Sequence, residues 1–196
     1  MARPSKKNQR REEIIDAFER CVVRFGLEGS TLQRVADESG LARPLIHHNV
    51  GNRDDLLRAL LERLERQGAA TENAFRALLP DSGRCAAMIE LLFDARYASG
   101  SHEVLLHQAL LAAAQEQAPL RRLLLDWHNG FVEQTEQELV AEYPQADSAV
   151  TRAVAVGIVA LYLNADSMAP LASDSTLFRD SKRAAHRLLE TLSWTG

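Results

Sequence analysis

Cysteine and aromatic residues are scarce in this chain. Of its 196 residues only two are cysteines, Cys21 and Cys85, and Phe, Trp and Tyr together make up 6%. Two cysteines cannot build a disulfide framework, and their separation fits no zinc-ligand spacing. Long hydrophobic runs are missing too. The longest uncharged apolar stretch, Ala153–Leu163, is about half of the ~20 residues a membrane-spanning helix needs. The basic start of the chain runs into Glu12 and Glu13 instead of an apolar stretch, so it does not read as a signal peptide. No phosphate-binding glycine pattern, zinc-protease motif or nucleophile elbow occurs. These absences point to a cytoplasmic protein with no membrane partner, no cofactor and no metal, and they exclude the commonest enzyme signatures.

What is present is helix-forming composition: hydrophobic residues at 46%, charged residues at 26% and a net charge of −4. Charge is uneven along the chain. Residues 1–66 carry +2 and the remainder −6, and Arg3, Lys6, Lys7, Arg10 and Arg11 precede the first acid. Segments rich in Ala, Leu, Arg and Glu alternate with short breaks, and no stretch holds a period-two pattern. The breaks predict an all-α fold of about nine helices: 10–25, a helix opened by Ser30 and stopped at Gly40, 44–50, 53–79, 84–99, 102–118, 119–143, 147–168 and 175–193.

Local signals mark the first four. Ile14, Phe18, Cys21, Val22 and Phe25 share one helical face, ended by Gly26. Ser30-Thr31-Leu32-Gln33 has the form of a capping box with Ser30 as N-cap, and Leu32, Val35 and Ala36 point inward. Pro44 predicts a helix beginning there, with Arg43 at its edge. Asn52 and Asp55 cap the next helix.

Helix, short glycine turn and second short helix make the grammar of a helix-turn-helix, whose second helix enters the DNA major groove. Leu41, Ile46 and Val50 pack inward, which leaves Arg43, Pro44, His47 and His48 outside. Arg43 can form a fork with guanine. His47 can donate to a phosphate or a base, Pro44 or Leu45 can touch a thymine methyl, and Arg53 can bind phosphate at a helix N-terminus. The alternative reading is a helical small-molecule binding or enzymatic protein whose first helices only look like a DNA reader. Adjacent His47 and His48 point about 100° apart and do not chelate together.

Residues 10–57 resemble the DNA-binding domain of the TetR (tetracycline-repressor) family of transcriptional regulators. The resemblance is carried by Arg10, Ile14, Ala17, Phe25-Gly26, Thr31, Val35-Ala36, Ser39-Gly40-Leu41, His48, Asn52-Arg53 and Leu56-Leu57. It implies a DNA-binding domain over 1–52 and an effector-binding and dimerisation domain over 53–196. It also implies phosphate contacts from Thr31, His47 and Arg53, and base contacts from Gln33, Arg43, Pro44 and His48 or Asn49. The family binds palindromic operators as homodimers and releases them when a small molecule occupies the C-terminal domain. The chain departs from the family pattern at His47, where Tyr is usual, at Val50, where Phe is frequent, and at Ala42, where Ser often caps.

In the remaining two thirds, the helix at 147–168 is apolar nearly all round, and Ala153, Gly157 and Ala160 would admit a close neighbour. The last helix offers Phe178, Ala185, Leu188, Leu189 and Leu192. The resemblance implies that these two helices form the dimer interface. Candidate liners of an effector cavity are Met88, Phe93, Tyr97, His107, Leu110, Trp127, Phe131 and Tyr162, and an apolar or amphipathic effector suits them.

Overall fold

The computed structural model describes residues 6–94, 100–171 and 176–193. Regular structure among them is entirely helical. The helices are α1 (Lys6–Gly29), α2 (Leu32–Ser39), α3 (Arg43–Asn49), α4 (Arg53–Leu78), α5 (Arg84–Leu92), α6 (Ser101–Ala113), α7 (Ala118–Glu142), α8 (Ser148–Met168) and α9 (Thr176–Glu190), with 3-10 turns at Ala169–Leu171 and Thr191–Ser193. The all-α, nine-helix expectation therefore holds among the described residues. Arg3 and Tyr97 lie outside them, as do residues 95–99 of the expected 84–99 helix. Contacts group the chain into two units, one from 1–74 and 105–123, the other from 75–104 and 124–196.

In the first unit α1 buries Ile14, Ile15, Ala17, Phe18, Cys21 and Val22. Phe25, expected on the same face, is instead 41% exposed. Two guanidinium groups lie over its ring, Arg24 at 5.1 Å and Arg34 at 4.5 Å from the centroid. The electron-rich faces of the ring favour that position. Gly26 then takes φ 70°, ψ 170° and kinks the helix, and Leu27 just beyond it is buried.

The expected Ser30 capping box does not form. Ser30 is fully buried, and its hydroxyl donates to the Gly26 carbonyl at 2.7 Å. Thr31 becomes the N-cap of α2, accepting from the Arg34 N–H at 3.3 Å, while Gln33 turns to donate to Asp37. Burial thus consumes the first hydroxyl and leaves the cap to the second. Gly40 adopts the left-handed conformation and ends α2 as expected. The third helix starts at Arg43, one residue before the expected Pro44, because Ala42 is already extended and Pro44 fits the first turn, where no N–H is needed. Asn52 and Asp55 cap α4 reciprocally, each backbone N–H donating to the other's side chain at 3.0 Å.

Two ion-pair clusters brace these helices. Glu38 of α2 accepts from Arg20 at 2.7 Å and Arg24 at 3.1 Å on α1. Arg63 of α4 is buried. It donates to Asp16 and Glu19, and Glu12 stands 3.9 Å away.

In the second unit α8 packs on α9. The former buries Thr151, Val154, Ala155, Ile158, Val159 and Ala165, the latter Phe178, Ser181, Ala185 and Leu189. By length and composition α8 matches a membrane span, although its longest uncharged run is short. Here it is a packed helix, started by the Asp147 side chain, which accepts from the Ala149 and Val150 N–H groups. Gly157 of α8 faces Leu188 of α9. Ala153 and Ala160 are exposed beside Val156. Arg84 forks onto Glu138, with bonds of 2.6 and 3.0 Å, and fixes the start of α5 to α7.

Candidate nucleic-acid interface

The short α3 is seated by one side chain. Ile46 is fully buried, Val50 nearly so, and Leu41 is half-buried. Burying an Ile is worth about 1.5–3 kcal/mol, enough to orient a two-turn helix that has little stability alone. With Ile46 inward, Arg43, Pro44, Leu45, His47 and His48 face solvent, as the sequence pattern predicts. Leu45 is 46% exposed, an apolar group open to solvent. Asn49 is half-buried, and its amide donates to the Leu45 carbonyl at 2.8 Å, so it is partly committed to its own helix.

Thr31, Gln33, Arg43 and Arg53 come together around an open cleft of about 400 Å³, completed by Glu28 and Leu32. Thr31 and Gln33 are exposed. The N–H groups of the first turn of α2 have no partner inside the helix, apart from that of Arg34, which Thr31 takes. Arg53 is not the free cation that its position suggests. One of its terminal nitrogens donates to the Leu27 carbonyl at 2.7 Å and to the Glu28 carboxylate at 2.9 Å, and its Nε is buried without an acceptor. Glu28 is absent from the sequence-predicted site, which is made of donors and cations; its signal is a carboxylate at the end of α1, three residues before the Thr31 N-cap.

The electrostatics around the site are mostly those of braces. The Asn52 backbone N–H, with Arg58, holds the Asp55 carboxyl below its ordinary range. Hydrogen bonding from Arg20, helped by Arg24, does the same for Glu38. Burial raises the Cys21 thiol, which keeps it neutral within the apolar face of α1.

The candidate effector liners divide. Phe93 meets Tyr162 edge-on at 6.1 Å, Tyr162 meets Phe131 at 5.7 Å, and Phe131 meets Trp127 at 6.1 Å. Met88 and Phe93 are buried in the same core, whereas Trp127 is exposed. His107 and Leu110 fall in the first unit. Neither the cleft at Arg53 nor a second of about 390 Å³ along α9 is lined by any of these residues.

No family model matches the chain. Its sequence is 31% identical over 116 residues to the HTH-type transcriptional regulator BetI of Paraburkholderia phytofirmans, covering 58% of this chain and 59% of that protein. It is 33% identical over 60 residues to the HTH-type transcriptional repressor AcnR of Corynebacterium glutamicum, covering 31% and 32%. The chain thus spans between about a third and three fifths of these two relatives. Solved structures match over nearly the whole length. A transcriptional regulator from Pseudomonas aeruginosa PAO1 superimposes with a TM-score of 0.77 at 18% identity, covering 94% of this chain and 90% of that one. A TetR-family transcriptional regulator from Streptomyces coelicolor gives 0.73 at 18%, covering 98% of each. A TetR transcription regulator from Haloarcula marismortui gives 0.72 at 17%, covering 94% and 98%.

Proposed function

We propose that this chain, which resembles the TetR-family transcriptional regulators and has their fold, is a homodimeric cytoplasmic repressor that binds a palindromic operator and leaves it when a small molecule binds. The observation that carries the reading is the solvent-facing row on α3: Arg43, Pro44, His47 and His48 outside, over a fully buried Ile46. Arg43 reads guanine as a fork, Pro44 and Leu45 touch thymine methyls, and Gln33 with His48 or Asn49 completes the base contacts. Thr31, His47 and Arg53 hold phosphates. Residues 1–52 form the reader, and residues 53–196 bind the effector and the second copy.

The exposed apolar stripe on α8, from Ala149 and Ala153 through Val156 to Ala160, supports pairing with a symmetry mate, together with α9. The Phe93–Tyr162–Phe131–Trp127 ladder supports an apolar or amphipathic effector.

Selection from random duplexes, followed by a salt titration, tests the reading. A palindrome should emerge, and log affinity should fall linearly as log salt rises. Absence of duplex binding at low salt would favour a helical small-molecule binding or enzymatic protein without a DNA target.

A further inference from the structure

We propose that Glu28 is an internal counter-ion that competes with DNA phosphate for Arg53 and thereby sets the affinity of the cleft. The inference rests on the DNA-binding reading and adds to it a residue of opposite sign.

Glu28 and Arg53 line the same open cleft as Thr31, Leu32, Gln33 and Arg43, so a phosphate entering there meets both. The guanidinium bond to the Leu27 carbonyl fixes where Arg53 sits, and the 2.9 Å bond to Glu28 neutralises it. The two partners differ in what they can give up. Leu27 is buried and its carbonyl belongs to the turn. The Glu28 side chain is 69% exposed and can swing into water. A phosphate that takes Arg53 therefore displaces Glu28 and leaves the carbonyl bond in place.

This exchange has a signature in salt dependence. Neutralising one phosphate releases condensed cations from DNA, but a displaced Glu28 recruits a cation in return. The net release on binding is smaller by up to about one ion than for a protein without the carboxylate. Glu28 thus weakens attraction to any duplex, whatever its sequence.

The test is a double-mutant cycle read by fluorescence anisotropy on a labelled random-sequence duplex across a salt series. E28Q should tighten binding about two- to fivefold at low salt, the scale of one exposed ion pair, and steepen the salt slope by up to about one. R53A should weaken binding, and E28Q added to R53A should change nothing further. Thermal melts of the variants confirm that each remains folded. If E28Q weakens binding or leaves it unchanged, Glu28 positions Arg53 or is idle, and the proposal is overturned. Tightening that persists in the R53A background overturns it as well, since Glu28 would then act on phosphates without Arg53. Failure of the unmodified protein to bind duplex DNA removes the DNA-binding reading itself. Normal binding with no response to E28Q removes only the role of Glu28.

Discussion

Gly157 lies directly against Leu188: a Cβ built at position 157 would stand 2.7 Å from the leucine Cδ1. The clash is with the end of a flexible side chain, so a single methyl can be absorbed. Gly157→Ala should change stability by less than about 1 kcal/mol, because the helix-propensity gain of about 0.8–1 kcal/mol offsets the displaced leucine. Gly157→Leu cannot be absorbed and should cost about 1–3 kcal/mol. Urea denaturation of the two variants checks the pair, and equal stabilities would show that α8 and α9 do not need this close approach.

The Arg84–Glu138 fork predicts an acid-sensitive tether. Hydrogen bonding from Arg84 holds the Glu138 carboxyl below its ordinary value of 4.5. A depressed carboxylate contributes stability that is fully present above the unfolded value and drains away as pH falls through the folded one. Denaturation midpoints taken from neutral pH down to about 3 should therefore fall more gently for Arg84→Met than for the unmodified protein. Parallel curves would mean that the tether contributes nothing.

The two thiols should be silent in the native state. Burial first, and then Glu142, push Cys85 up to about 12, and burial also raises Cys21. Thiolate, not thiol, is the nucleophile. Ellman's reagent at mildly alkaline pH should react with neither cysteine until denaturant is added, then with both. Prompt native labelling would contradict their burial.

The residues proposed to read bases and those proposed to hold phosphates should separate experimentally. Arg43→Ala should relax preference at one operator position, with a loss of about 1–3 kcal/mol there. Arg53→Ala should weaken all sequences alike and flatten the salt slope. If the two variants behave the same, the assignment of contacts is wrong.

Much of the proposed reader was legible because its signals are local. Gly40, Pro44 and the Asn52–Asp55 pair each act within a few residues, and the helices end or begin at or beside them. Legibility failed where burial or side-chain pairing, and not the local pattern, decided. Ser30 has the same local credentials as Thr31, but burial turned it toward Gly26. Phe25 fits the apolar face of α1, yet two arginines claimed its ring. Arg53 was expected to be open to phosphate, and its partner Glu28 sits 25 positions earlier.

The candidate effector residues illustrate the same limit. Helical spacing puts Met88, Phe93, His107 and Leu110 on apolar faces but does not say which helix each face meets. Met88 and Phe93 join one core, and His107 and Leu110 belong to the other unit.

The guanidinium of Arg63, gripped by Asp16 and Glu19, makes a pivot. It sits ten residues along α4, about 15 Å from the start of that helix at 1.5 Å per residue. Because α1 is tied there to α4 and holds α2 through Glu38, a single chain of charged contacts links the side chains of three helices.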